Sequence, residues 1–441
     1  MNLKVSYIII AVLLAVDNVF IRFRLGGIIS FDRALEFLFF FVLFKPYLTA
    51  LKTNSFFRGW NRFLVAFIVL QLLVDLRFLI QNEIELKTLL IDVFKGFSFI
   101  VFSSLFFLTA QKNLKYVNII LIVHFAICIF SLLQHPLSPI AGQMLDIKKT
   151  LLSTPTEGRI SQGLENESMY ISGGYADRFR MAGPFVSTIS FTYFAISSFC
   201  MAFFMYIKTK KRFYLIVLGT VFLCSALSQT RSLLLGELLI IGGYFFLIPH
   251  RKRPMYQTAM VIAGLVLSLF VVVGQDYFLP KNSRLTKLSS QGESDSRPLL
   301  WLTGITAAVS YPLGVSQKEY KAVKRDMYHK YGHPAILHLP SHNGIINVGI
   351  YYSLLGYVLL FMLVKFLLEH NRKSNPIMRV FFILCLLGYT THLSFHNNIF
   401  LSADYPFFMV LMLLGLESQG LLPKPEEESQ DLSLNADKKK A

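Results

Sequence analysis

The sequence predicts an all-α polytopic membrane protein with about twelve transmembrane helices and one large polar loop. Three observations carry that prediction. Apolar runs of about 20 residues, the length a helix needs to cross a bilayer, recur along most of the chain. Only 16% of the 441 residues are charged while 54% are hydrophobic, against about 25% charged in a soluble domain. Phenylalanine alone contributes 42 residues, far more than one soluble core accommodates, and the mean hydropathy is +0.53.

Taken in order, the candidate spans are 4–21, 31–50, 62–80, 90–110, 116–134, 182–206, 213–229, 232–249, 256–276, 344–367, 377–394 and 402–417. The first follows Lys4 with the apolar run Val5–Ala15 and then Asp17. No small-x-small cleavage site follows it, so an uncleaved first span is expected rather than a signal peptide. Residues 1–134 therefore hold spans one to five, 135–181 a loop, 182–276 spans six to nine, 277–343 the large loop and 344–421 the last three spans. The tail 422–441, rich in Glu, Ser and Lys, reads as a disordered end.

Orientation follows from the connectors. Lys208-Thr209-Lys210-Lys211-Arg212, Arg251-Lys252-Arg253 and Arg372-Lys373 are short and dense in cations. About twelve spans put them on one side with Arg58, Arg62 and both termini, which the positive-inside rule makes cytoplasmic. The loops 135–181 and 277–343 then face outward. The net charge of +17 is thereby a topology signal, and no nucleic-acid partner is expected. Cys128, Cys200, Cys224 and Cys385 each lie inside an apolar run, as small buried hydrophobes do. They show neither metal spacing nor a disulfide framework.

Several arginines break the topology rule. Arg22, Arg24, Arg33 and Arg77 fall near outer span ends, Arg178 and Arg180 precede span six, Arg231 sits at an outer hairpin and Arg297 in the large loop. Headgroup snorkelling or pairing with Asp17, Asp32 and Asp75 accounts for individual cases. As a group they point to an anionic partner on that face, because the planar guanidinium grips phosphate with two hydrogen bonds and stays charged.

The stretch Ser290–Gly356 holds most of the polar chemistry. Ser294-Asp295-Ser296-Arg297-Pro298 reads as a helix start, with Arg297 close to amides that favour anions. That helix is expected to end at the turn Tyr311-Pro312-Leu313-Gly314. Gln317–Tyr331 interleaves Lys318, Lys321, Lys324, Arg325 and Lys330 with Tyr320, Val323, Met327 and Tyr328, the spacing of a basic helix lying on membrane lipids. His329, His333 and His338 are separated by Gly332 and Pro334, so no helical pair is well placed and no metal site is expected. His342-Asn343 stands where the chain enters span ten. It is either a boundary residue or a base, since a neutral imidazole takes a proton from a hydroxyl near pH 7. His396-Asn397 is a second such pair.

With these residues laid out, the chain resembles the O-antigen ligase family, which includes glycan polymerases and protein O-oligosaccharyltransferases. The matching motifs are Ser228-Gln229-Thr230-Arg231-Ser232, Arg297 followed by Trp301, Pro312-Leu313-Gly314-Val315, His342-Asn343 followed by Gly349 and Gly356, and Arg180-Met181-Ala182-Gly183-Pro184-Phe185. Ser316 departs from the pattern, where the family often has a second glycine.

The resemblance implies a GT-C-like, metal-independent glycosyltransferase without cofactors, in lipopolysaccharide or surface-polysaccharide synthesis at the bacterial inner membrane. Its donor would be a glycan on undecaprenyl pyrophosphate, and its acceptor a sugar hydroxyl of lipid A core. A polymerase of the same family would instead use another lipid-linked repeat unit. Arg231 and Arg297, with Arg180, would bind the pyrophosphate; His342 would be the base, with Asn343 and Gly314 in support. A reading from another class is a lipid-linked glycan flippase, for which Glu237 and His124 are intramembrane candidates.

Overall fold

The computed structural model describes residues 3–17, 19, 24–25, 29–135, 138–148, 150, 181–185, 187–228, 230–247, 293–396 and 405–422. They form helices α1 Leu3–Ala15, α2 Phe31–Val42, α3 Phe44–Thr53, α4 Ser55–Ile80, α5 Leu86–Lys112, α6 Leu114–Leu133, α7 Ala141–Ile147 and α8 Thr188–Thr209. They continue with α9 Phe213–Leu227, α10 Arg231–Leu247, α11 Glu293–Ser310, α12 Gln317–Tyr331, α13 Ala335–His338, α14 Gly344–Asn371, α15 Pro376–Leu393 and α16 Tyr405–Ser418. A short antiparallel ribbon, β1 Arg24–Leu25 with β2 Ile29–Ser30, precedes α2. Six of the described helices, α4, α5, α6, α8, α14 and α15, are long and apolar enough to cross a membrane, as a helical integral membrane protein requires. Exposed Val65, Val69 and Leu73 on α4 and Leu355, Val358 and Phe361 on α14 give those helices apolar outer faces. The ninth expected span, 256–276, lies outside the described residues.

Three helices differ from the expected straight spans, each for a visible reason. α1 stops at Ala15 because Asp17 turns inward to Arg33, 2.5 Å away. The expected span 31–50 is two helices, α2 and α3, bent by 68°. Pro46 in the first turn of α3 has no N–H for the carbonyl of Val42, and its ring crowds that carbonyl. α14 is interrupted at Ser353, whose φ of 64° and ψ of 179° are not helical.

Packing sorts the chain into a large core and a small one. The large core joins α1, α4, α5, α6, α8, α9, α10, α14, α15 and α16 through fully buried aromatics such as Trp60, Phe102, Phe106, Tyr193 and Phe204. The small core lies over one end of α14. Ala307 and Ala308 of α11, Val323 and Met327 of α12 and Ile336 of α13 pack there on Ile346 and Ile350. All four cysteines are buried and unpaired by disulfides.

The small core changes the reading of α12. Its apolar face is turned into protein, and Lys318, Lys321, Arg325 and Lys330 are exposed on the other side. It is therefore not a helix whose apolar stripe dips into lipid. A capping box between Ser316 and Glu319 fixes its start. α11 also differs from expectation: it is helical from Glu293, which leaves Pro298 inside the helix and Arg297 beyond the first-turn amides.

The candidate anion-binding site

The bundle end that carries α11–α13 is built from glycines and turns. α10 and α15 run antiparallel and touch at Gly236 and Gly388. A Cβ on Gly236 would lie 2.6 Å from the Gly388 carbonyl oxygen, and one on Gly388 2.8 Å from that of Gly236. Only glycine permits that approach, the same device that brings membrane helices together. One turn toward the loop end, the closeness lets Ser232 of α10 meet two histidines of the α15 terminus. Its Oγ lies 3.2 Å from His392 Nδ1 and 3.0 Å from His396 Nε2. The two imidazole rings are 4.4 Å apart, and Tyr193 of α8 stands 4.8 Å from His392. His392 is fully buried; His396 is half-buried.

Of the two expected arginines, Arg297 reaches this turn with its side chain, and Arg231 adjoins Ser232 in the chain. Arg231 is the residue before Ser232, exposed at the first position of α10. Arg297, also exposed, places its guanidinium carbon 5.5 Å from the centroid of the Phe395 ring, the residue before His396. Trp301, one turn further along α11, lies 6.0 Å from the same ring. The chain at residues 392–396, about one helical turn at the end of α15, thus meets the start of α10 through Ser232 and α11 through Arg297. Arg178 and Arg180 lie outside the described residues, as does Asn397. The strap that follows Arg180 is tied to the same hairpin, since Met181 N donates to Leu227 O at 3.2 Å.

His342 sits on the loop that leads into α14. Its φ of 49° is left-handed, a conformation that costs a non-glycine residue about 1–3 kcal/mol. Both neighbours are anchored. Ser341 Oγ donates to Asn347 Oδ1 at 2.6 Å, and Asn343 Oδ1 accepts from Ile345 N and Ile346 N at 2.9 and 3.1 Å. Asn343 is therefore the N-cap of α14. Ser341 packs on α11 at Gly304, two turns beyond Arg297 on the same helix, with its Cβ 2.8 Å from where a glycine Cβ would stand. His342 is thus held over the helix that carries Arg297, while His392 and His396 are the histidines that meet Ser232 at the turn.

The Pro312–Val315 turn has a role invisible in its composition. Val315 N donates to Ile350 O at 2.9 Å, and Leu354 N donates to Pro312 O at 3.0 Å. These are a carbonyl and an amide that the break at Ser353 strips of helical partners, so the turn completes the interrupted helix from outside. Broken helices persist in a membrane only where protein satisfies their backbone. Gly314 has a φ of 100°, and a Cβ there would meet Val74 at 2.6 Å. Its carbonyl accepts from Arg77 Nη1 at 2.8 Å, and Arg77 also pairs with Glu319. Tyr357 donates to Ile346 O at 3.0 Å across the break. A groove with a free volume of about 150 Å³ opens beside it, lined by Phe67, Gln71, Asp92, Lys95, Tyr351 and Tyr352, and shares no residue with the arginine-flanked turn.

Chemically, the turn offers guanidinium and imidazole donors around a half-buried surface, which suits a phosphate or pyrophosphate. Burial of Lys324 in the small core lowers its amine below the usual lysine range, and it lies 4.9 Å from the Tyr320 ring. The described residues contain no group of three His, Cys, Asp or Glu able to hold a metal ion. Sequence reasoning missed His392, Ser232 and Phe395 as site residues. The signal was present in part: His392 and His396 are one helical turn apart, and Ser232 follows Arg231 directly. No protein-family model matches the chain, and no curated protein or solved structure matches it either.

Proposed function

We propose that the chain is a glycosyltransferase of the O-antigen ligase kind, moving a glycan from undecaprenyl pyrophosphate to an acceptor hydroxyl of lipid A core. The observation that carries this reading is that the turn 392–396 meets Arg297 at Phe395 and the residue next to Arg231, Ser232, at His396. In the reaction the acceptor oxygen attacks the anomeric carbon and the bond from that carbon to the pyrophosphate oxygen breaks. Undecaprenyl pyrophosphate leaves with the bonding electrons, and the hydroxyl proton goes to His342. The arginines stabilise the charge that grows on the leaving group, and the imidazole takes the proton. The sugar arrives activated, so no nucleotide cofactor is required.

Topology supports the same reading. The described cationic connectors 208–212 and 372–375 meet at Glu417, at the end of α14 away from α11–α13, so the positive-inside rule favours the outer face of the inner membrane for the turn 392–396, within a chain of about twelve spans. A polymerase of the same family would run identical chemistry on a second lipid-linked repeat unit. A transport reading draws on one observation, the fully buried carboxyl of Glu237 on α10, which accepts from Ser225 Oγ at 2.7 Å.

The test is transfer of a lipid-linked glycan by the purified full chain in nanodiscs, followed by gel shift of the acceptor. Arg231→Ala and Arg297→Ala should each abolish transfer with the folded protein retained, and lysine should rescue poorly because it cannot reproduce the fork. His342→Ala should slow turnover by about 10²–10⁴-fold with donor binding unchanged. Full activity of Arg297→Ala removes it from the site. Movement of lipid-linked glycan across a bilayer without any transfer would replace the reading with transport.

A further inference from the structure

We propose that His392, Ser232 and His396 form a one-way hydrogen-bond relay that fixes His396 as a neutral imidazole with its proton on Nδ1, and that this N–H donates to the pyrophosphate of the lipid-linked donor at the turn that Arg297 reaches. The second half of this inference rests on the transferase reading; the first half does not.

The direction of the relay follows from counting protons. A serine hydroxyl has one proton to give and accepts up to two. Ser232 Oγ lies within hydrogen-bond distance of two ring nitrogens, His392 Nδ1 and His396 Nε2. At least one ring must therefore donate to the oxygen. His392 decides which. Its Nε2 is buried and has no hydrogen-bond partner among the described residues. A proton on that nitrogen, in the other tautomer or in the doubly protonated ring, would leave a buried N–H without an acceptor. Orphaned buried N–H groups are the rarer and costlier kind. His392 therefore carries its proton on Nδ1 and donates to Ser232 Oγ. Ser232 has then accepted once; a second donation from His396 would leave the buried hydroxyl proton with no acceptor among the described residues, so that proton goes to His396 Nε2. With Nε2 accepting, the proton of a neutral His396 is on Nδ1.

This makes His396 a donor and not a base in the resting site. A neutral imidazole that gives its N–H to a pyrophosphate oxygen adds a hydrogen bond to those of the arginines without adding a positive charge. It also separates the two His-Asn pairs by role: His342 takes the proton of the acceptor, and His396 holds the leaving group. His392 and Ser232 act only through His396 and are positioning residues.

Side-chain amides test the assignment, because the amide nitrogen of Asn stands close to the place of imidazole Nδ1 and that of Gln close to Nε2. His396→Gln and His396→Ala should each lower kcat/KM by about 10²–10³-fold, the usual loss for one transition-state donor. His396→Asn should stay within about 10-fold of the unsubstituted protein. If Asn is as inactive as Gln, the donor role is overturned, and a base at His396 would produce that result. The tautomer is read separately and without substrate. ¹⁵N shifts of histidine-labelled full chain in nanodiscs, with His396 identified by its absence from His396→Asn, should show Nδ1 protonated and Nε2 bare at neutral pH. Ser232→Ala should shift that resonance toward the tautomer mixture of free imidazole. A protonated Nε2 in the unsubstituted chain overturns the relay whatever the activity. A chain that transfers no lipid-linked glycan fails the functional reading, while the ¹⁵N result still decides the relay.

Discussion

The two ends of the helical bundle use their cations differently. At one end the connectors are short and basic, and their charges are settled on the surface. Asn54, Asn113 and Asn375 cap α4, α6 and α15 there, each accepting a backbone N–H at 2.8–2.9 Å. Arg58 donates to the carbonyls of Leu51 and Lys52, Arg379 to that of Arg372, and Lys208 pairs with Glu417 at 2.7 Å. At the other end the arginines do structural or chemical work. Arg33 is buried between Asp17 and Glu36, and Arg77 ties the small core to α4. Arg231 and Arg297 remain exposed around a histidine pair. Cation count therefore does not separate topology charges from site charges; burial and partner identity do.

That contrast also narrows the sequence-level argument that outer arginines as a group demand an anion. Arg33 finds its anion inside the protein, as pairing with Asp17 anticipated, with Glu36 added. Arg77 pairs with Glu319 rather than Asp75, which instead accepts from Gln71 at 2.9 Å. Arg231 and Arg297 are exposed, and Arg297 lies against the Phe395 ring of the turn.

The largest effect expected from this comparison is at Arg33. Its side chain and those of its two partners are almost fully buried. Arg33→Leu removes the cation and leaves carboxylates in a dry site, a change that costs about 3–5 kcal/mol when one partner of a buried pair is lost. Thermal unfolding in detergent should show it, and the triple variant Arg33→Leu, Asp17→Asn, Glu36→Gln should recover most of the loss. A single variant as stable as the parent would mean that the cluster is solvated and the two ends are alike.

A smaller effect is expected where the loop plugs the helix. Gly314→Ala places a Cβ against Val74 in a left-handed conformation, at a cost of about 1–3 kcal/mol. The loss should be local. Exchange of the Leu354 amide, which donates to Pro312 O, should accelerate while that of α5 amides stays unchanged. Uniform acceleration would make the turn part of the main fold rather than a plug for α14.

Much of the fold was legible because apolar length is a strong signal. α5, α6, α9 and α15 begin and end within a few residues of the expected runs, whereas α4 starts well before its run and α8 well after the start of its own. The bend at Val42 was missed, because the apolar run across it outweighed the one signal, Pro46. The break at Ser353 was not: Ser353 is an ordinary helical residue by composition, and its conformation is set by Pro312 and Val315, some forty positions away. In the site, residue types chosen for phosphate chemistry led to Arg231 and Arg297. His392 stayed hidden inside an apolar run, because its meaning depends on Gly236 and Gly388 letting two helices touch.

The smallest effect sharpens the comparison most. Lys208 is partly exposed and Glu417 is nearly buried, and that carboxylate also accepts from Asn375 at 3.1 Å. Lys208→Met therefore removes a partner that water can replace at the bundle rim while leaving Glu417 one hydrogen bond. Pairs of this kind contribute about 0–1 kcal/mol, and added salt weakens them further. The variant should melt within that range of the parent, should lose its remaining difference in high salt, and should transfer glycan at the parent rate. A loss approaching that of Arg33→Leu would show that Glu417 is held as tightly as Glu36. The basic end would then be a buried electrostatic lock rather than a row of topology charges, and the distinction between the two ends would fail at the pair where it is easiest to measure.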